Sequence, residues 1–186
     1  MPDAALQPGP LTPQSPVADA LARYPGAQRA LFRKYHIGGC SSCAFDPNET
    51  IANLCARNGN LNAEEMLTYL EQSHREDEKL LIEPSALAEL RKRSSEIRLV
   101  DIRTREEHDA VRLPDAHFFT EQLHQEILGR WPKSSPVIFY DHTGKRALDA
   151  AAYFHGHGFT EARALRGGID AWSREVDSSV PRYKLD

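Results

Sequence analysis

Beyond Cys55 the chain has no cysteine at all, and its only three, Cys40, Cys43 and Cys55, fall within 16 residues of one another. An odd number confined to one short stretch argues against a disulfide framework and leaves redox, metal or plain core roles. An excess of positive charge is also missing. The formal net charge is −4 and no basic stripe runs along the sequence, so nucleic acid is not an expected partner. No apolar run approaches the roughly 18 residues that would cross a bilayer, and no membrane partner is expected. The opening stretch, MPDAALQPGPLTPQSP, lacks the charged-then-apolar pattern of a secretory signal. It reads as a flexible, Pro-rich lead over residues 1–14, with a cytoplasmic location as the default. What is present is ordinary for a globular protein: 186 residues, 40% apolar and 27% charged, room for one medium domain or two small ones.

Residues 15–73 carry helical signals. Ser15 and Pro16 read as N-cap and first helical position, with Val17, Ala20 and Leu21 as a short apolar face. Pro25 can open a second helix bearing Leu31, Phe32 and Tyr35, which Gly38 and Gly39 would stop. A third begins near Thr50, places Ile51, Leu54 and Cys55 on one face, and ends at Gly59. In the fourth, Asn62 and Glu65 fit a capping-box-like pair and Leu61 and Met66 a hydrophobic staple. This predicts an all-α four-helix mini-domain near the lower size limit for independent stability. Few large apolar residues are available to it, so a homodimer through this domain is a candidate assembly.

Residues 74–81 are charged and read as a frayed helix end and linker. From residue 82 to 186 strands alternate with helices. Ser85 can cap a helix carrying Leu87 and Leu90. IRLVDI (97–102) and PVIFY (136–140) are strands, and Ala147 to Phe154 is a helix with a small-residue face of Ala147, Ala150 and Ala151. A short strand over 162–165 precedes Gly167-Gly168 and a last helix, Ile169 to Arg174, carrying Trp172. Such strand–helix–strand units imply right-handed crossovers and a mainly parallel α/β sheet. Ligand sites then collect beyond the carboxyl ends of strands, where Asp141 stands.

The stretch Asp141-His142-Thr143-Gly144-Lys145-Arg146 joins such a strand end to a helix start. Backbone N–H groups in a tight turn there make a concave anion site, and the helix N-terminus adds partial positive charge. Gly144 permits a positive φ, and Lys145 and Arg146 bring cations. A cysteine at the head of such a loop would have its thiol pKa depressed and could hold a persulfide. Asp141 can alternatively act only as a cap for the following helix. A carboxylate nucleophile toward phosphate is a further option, although no second acidic residue for a metal stands nearby.

LVDIRTREEHDAVRLPDA, YDHTGKRA and GFTEARALRGGIDAWSREVDSSVPRY together resemble a rhodanese (sulfurtransferase) domain over residues from about 80 to 183. The resemblance implies a parallel sheet flanked by helices, with YDHTGKRA as the active-site loop. It also shows a departure. The family's loop begins with the cysteine that accepts sulfane sulfur, and here Asp141 stands at that position. A carboxylate cannot accept sulfur, so ordinary ping-pong transfer is expected to be absent. The Asp141 oxygens, like the outer sulfur of a cysteine persulfide, lie two bonds beyond Cβ and share a negative charge. Asp141 is thus a candidate fixed mimic of the sulfur-loaded state, in a domain used to recognise a protein partner. Asp101 and Arg103 are expected to fix the strand end by hydrogen bonds, and His142 to face solvent.

IGGCSSCAF places Cys40 and Cys43 in a loop. C-x-x-C can close a redox disulfide or supply half of a metal site. Four-ligand zinc could recruit Cys40, Cys43, Cys55 and His36, although the spacing matches no standard ribbon or finger. Cys55 on an apolar helix face also reads as a buried small hydrophobe, and His36 as a helix-end residue. VADALARYPGAQRALFRKYHIGGCSSCAFDPNETIANLCARNGNLNAEEMLTYL resembles a small helical cysteine-containing family found alone or fused in bacteria with hybrid-cluster proteins. It is also similar to the N-terminal domain of iron–sulfur cluster repair proteins. That resemblance implies a disulfide, zinc or iron–sulfur role for Cys40 and Cys43, with Cys55 as a weaker third. Two functions follow as expectations: a redox- or metal-responsive sensor or adaptor without sulfurtransferase activity, or a sulfur-handling enzyme using Cys40 or Cys43 with the second domain as scaffold.

Overall fold

The computed structural model of the chain describes residues 9–38, 45–46, 48–94 and 96–183. Its contacts divide it into two units between Arg75 and Glu76. The first contains α1 (Val17–Arg23), α2 (Ala27–Tyr35), α3 (Ile51–Arg57) and most of α4 (Ala63–Glu78). Leu31, Ile51, Leu54 and Met66 are at most 2% exposed and form its core, as the apolar spacing predicts. The capping side chains behave as their chemistry demands. Thr50 Oγ1 accepts from Asn53 N at 3.1 Å, and Asn62 Oδ1 accepts from Glu64 N and Glu65 N at 2.9 and 3.1 Å.

Several helix ends differ from the expectation. Pro16, in extended geometry and bridged to Thr50, is the cap of α1, while the Ser15 hydroxyl accepts from Thr12 N instead. Gly26 rather than Pro25 precedes α2, and His36 closes it in the left-handed region, two residues ahead of Gly38. Gly39 lies outside the described residues. The lead is held at two points, where Ala52 N donates to Pro13 O at 2.8 Å and Arg23 Nη2 to Gly9 O at 2.9 Å, and just after it Ile51 N donates to Ser15 O at 3.0 Å. Helix α4 runs on to Glu78, through most of the stretch expected to fray, and Leu81–Ile82 is a strand rather than linker.

The second unit follows with β1 (Leu81–Ile82), α5 (Pro84–Arg93), β2 (Arg98–Asp101), α6 (Arg105–Ala110), β3 (Ala116–Phe118), α7 (Glu121–Arg130), β4 (Val137–Tyr140), α8 (Lys145–Gly156), β5 (Ala162–Leu165) and α9 (Gly168–Glu175). The strands form one parallel sheet in the order β1-β5-β4-β2-β3. All four residues of β4 are buried, as a central parallel strand covered on both faces requires. Val137 and Phe139 pack with Ala151, Phe154 and Phe159 on one side, and Ile138 and Tyr140 with Leu87, Ile169 and Trp172 on the other. Helix α5 is capped by Glu83 with Pro84 in its first turn, so Ser85 lies inside it rather than capping it. The short elements β1, β3, α6 and α7 carry no assignment in the sequence reading. Among the described residues no helix is long and apolar enough to cross a membrane.

Candidate functional site: a loop filled by its own carboxylate

Strand β4 delivers Asp141 to its carboxyl end, and the chain turns at once into α8. The Asp141 side chain is buried. Its Oδ1 accepts from Gly144 N at 2.5 Å and its Oδ2 from Arg146 N at 3.2 Å. The carboxylate therefore occupies the start of α8, where orphan amide donors and the helix dipole both favour an anion. The N-cap position itself is Gly144, so Asp141 reaches these amides from three residues upstream.

Two glycines permit it. Gly144 sits at φ +88°, and a Cβ there would come within 2.8 Å of Leu165 O and 2.9 Å of Gly167 N. Gly168, at φ +62°, faces the loop from the other side, and a Cβ on it would collide with the backbone of Asp141 and His142. Backbone lies directly on backbone at both positions, so only hydrogen fits. The approach lets α9 hold the loop: Ile169 N donates to Asp141 O at 2.9 Å and Asp170 N to His142 O at 3.2 Å.

The six loop residues are thus brought together. Thr143, Lys145 and Arg146 are exposed. His142 is not solvent-facing as expected. It is half-buried against Tyr183, ring centroids 4.5 Å apart, and its Nδ1 is buried with no protein partner. A buried polar atom left in that condition costs about 1–3 kcal/mol.

Beside the loop lies a buried polar network at the end of β2. Asp101 Oδ1 accepts from Arg103 N and Nε at 3.1 and 2.9 Å. Its Oδ2 takes Arg103 Nη2 at 2.6 Å, His108 Nδ1 at 2.8 Å and the Tyr140 hydroxyl at 3.0 Å. Arg103 also donates to Val111 O at 2.6 Å and to the Tyr183 hydroxyl at 2.7 Å, which in turn donates to Glu107 Oε1 at 2.7 Å. Burial pushes the Asp101 carboxyl up, but the hydrogen bonds from Arg103 and His108 outweigh it and hold it below the usual range. Burial, with the Glu107 carboxylate adding to it, pushes Tyr183 up to about 12. Of this network, the sequence alone points to Asp101 and Arg103 and not to His108, Tyr140, Glu107 or Tyr183. The Thr104–Glu107 capping box was legible in TREE and would have placed His108 on the same short helix. Nothing local in VPRY marks Tyr183.

Cys40 and Cys43 lie outside the described residues. Cys55 is buried in the first unit with its Sγ 3.6 Å from Met66 Sδ, and burial pushes its thiol pKa up, as for a core residue. His36 ends α2 with its ring edge-on to Phe32 at 6.2 Å. Among the described residues no group of three or more His, Cys, Asp or Glu could hold a metal ion.

The sheet order and the loop define a class. The family described as Rhodanese-like domain matches residues 83–175, half of the chain. The chain belongs to the rhodanese-like domain family. It is similar to a protein named sulfurtransferase from Allochromatium vinosum, 33% identical over 93 residues, which cover 50% of this chain and 87% of that protein. It is also similar to the probable adenylyltransferase/sulfurtransferase MoeZ of Mycobacterium tuberculosis, 29% identical over 104 residues, but spans only 26% of its length. Among solved structures, a rhodanese-like domain protein from Staphylococcus aureus is 21% identical, with 56% of this chain and 98% of that one covered and a TM-score of 0.43. The BH2092 protein of Bacillus halodurans is 24% identical, with 61% and 82% covered and a TM-score of 0.46.

Proposed function

We propose that this rhodanese-like domain does not carry sulfur and serves as a recognition module, joined to a redox- or metal-responsive C-x-x-C module at Cys40 and Cys43. One observation carries the first half: the Asp141 carboxylate sits on the amides of Gly144 and Arg146, where a negatively charged sulfur on a loop cysteine would be stabilised. Asp141 takes the place of the family's cysteine, and no thiol lies within 82–186 to replace it. A carboxylate oxygen has no route to a stable bond with sulfane sulfur that cyanide could then remove. The domain is held in one charge state, that of the loaded enzyme, and a protein partner reads the loop together with the exposed Lys145 and Arg146. The C-x-x-C module supplies the response, through a disulfide or through bound zinc or an iron–sulfur cluster.

Thiosulfate-to-cyanide sulfur transfer by the full chain tests the reading, with no turnover expected. Asp141→Cys is expected to gain a thiol that thiosulfate converts to a persulfide. A visible spectrum and metal analysis of anaerobically purified protein separate a cluster from zinc or a disulfide at Cys40 and Cys43.

A second reading is favoured by the name of the Allochromatium relative, a sulfurtransferase matched over most of its length. In it Cys40 or Cys43 carries the sulfur and the rhodanese-like domain is the scaffold. Turnover together with persulfide on Cys40 or Cys43 would support this second reading; absence of label supports the first.

A further inference from the structure

Two lines of contact from the end of the second unit converge on His142, the residue after Asp141. In the first, Tyr183 lays its ring against the His142 ring while its hydroxyl is pinned between Arg103 Nη1 and Glu107 Oε1, both at 2.7 Å. In the second, Arg182 Nε donates to Asp170 Oδ1 at 2.8 Å, and Asp170 N donates to His142 O at 3.2 Å. Just upstream, the buried Ser173 hydroxyl donates to Val180 O at 2.6 Å. The segment 180–183 is therefore tied to α9, to Arg103 and to α6, and it meets the loop directly through the Tyr183 ring on His142, while α9 holds the His142 backbone.

The anchor is firmer than what it holds. Arg103 is fixed by the Asp101 carboxylate, itself the acceptor of hydrogen bonds from Arg103, His108 and Tyr140. On the loop side, His142 Nδ1 is buried without a protein partner, a cost that contact with water would remove. Water at His142 Nδ1 would therefore offset part of the cost of opening the loop, which the hydrogen bonds from Ile169 N, Asp170 N, Gly144 N and Arg146 N oppose. Tyr183 covers His142 from the side of the C-terminal segment through contacts separate from those hydrogen bonds.

We propose that residues 180–183 are a latch on the Asp141 loop and that Tyr183 is the positioning residue through which the latch acts. This rests on the reading of Asp141 as the resident anion of the cradle. While latched, the carboxylate stays on the amides of Gly144 and Arg146. When Tyr183 is displaced, His142 meets water and those two amides become available, so a partner that draws Tyr183 aside regulates what the loop presents.

Residue-resolved amide hydrogen exchange on the full chain tests the latch. Tyr183→Ala is expected to speed exchange at Gly144 and Arg146 by about tenfold, with the strand amides of β4 and β5 unchanged. Tyr183→Phe, which keeps the ring but loses the hydroxyl anchors, is expected to fall between Tyr183→Ala and the unsubstituted chain. Unchanged exchange at Gly144 and Arg146 in Tyr183→Ala, or an equal rise throughout β4 and β5, would overturn the latch. Asp141→Ala separates the two ideas. If the Gly144 and Arg146 amides exchange no faster in it than in the unsubstituted chain, the resident-anion reading fails, whatever Tyr183 does.

Discussion

At the scale of single residues, the second unit turns on two buried carboxylates with different tasks. Asp101 is fully buried and takes hydrogen bonds from the Arg103 backbone and guanidinium, His108 and Tyr140. Removing its charge leaves Arg103 buried without its counter-ion, and breaking a pair of this kind costs about 3–5 kcal/mol. Asp101→Asn is therefore expected to lower the stability read from urea unfolding by that amount. Because the folded-state pKa of Asp101 is depressed, its contribution is present above the ordinary carboxylate pKa and is lost as the pH falls through the lower, folded value. Tyr183 works in the opposite sense. Its pKa is raised from 10.0 to about 12, so its contribution is complete below pH 10 and is lost as the pH rises toward 12. Alkaline titration followed by tyrosinate absorbance and by exchange at Gly144 checks this, with loop opening expected in that window. Asp141 is held less elaborately, as a helix-capping acceptor, and Asp141→Cys is expected to cost about 1 kcal/mol while leaving the fold intact.

At the scale of elements, the loop exists because the start of α8 and the start of α9 touch through glycine. Gly168→Ala puts a Cβ into the backbone of Asp141 and His142 at a φ of +62°. Strain of this kind costs about 1–3 kcal/mol before the clash is counted. The variant is expected to lower the melting temperature and to lose protection at the Gly144 amide, both read from one exchange series. Thr104→Ala removes one half of the capping box at α6 and is expected to cost about 1 kcal/mol. These elements also show where the sequence was legible. PVIFY is legible nearly to the residue because a fully buried parallel strand is a continuous apolar run between polar breaks, whereas IRLVDI and ARAL carry charged residues within them, Arg98 and Asp101 in one and Arg163 in the other. The helix α8 was legible from its alanines. The edge strands β1 and β3, of two and three residues, are too short to show any period, and α6 of six residues is too short for a helical repeat. The start of α1 was misplaced because Pro16 is held extended by its bridge to Thr50, a pairing 34 residues distant that no local pattern reveals. Asp141 through Arg146 could be read as a unit from contiguous residues. The partner of His142 could not, since Tyr183 meets it only through the fold.

At the scale of the whole molecule, two units of different grammar share one chain, and the chemistry each can perform differs accordingly. The second unit has the rhodanese-like sheet and a loop in which the Asp141 carboxylate accepts from the amides of Gly144 and Arg146. The first unit holds every cysteine of the protein, one of them, Cys55, buried beside Met66. On the proposed reading, sulfur or redox chemistry belongs to Cys40 and Cys43 and the second unit supplies the recognition surface. The most direct measurement is thiosulfate-to-cyanide sulfur transfer by a full chain carrying Cys40→Ser and Cys43→Ser, compared with the same chain carrying Asp141→Cys. The account predicts no turnover in the first and a thiosulfate-derived persulfide at position 141 in the second. Turnover by the chain that retains Asp141 would contradict it.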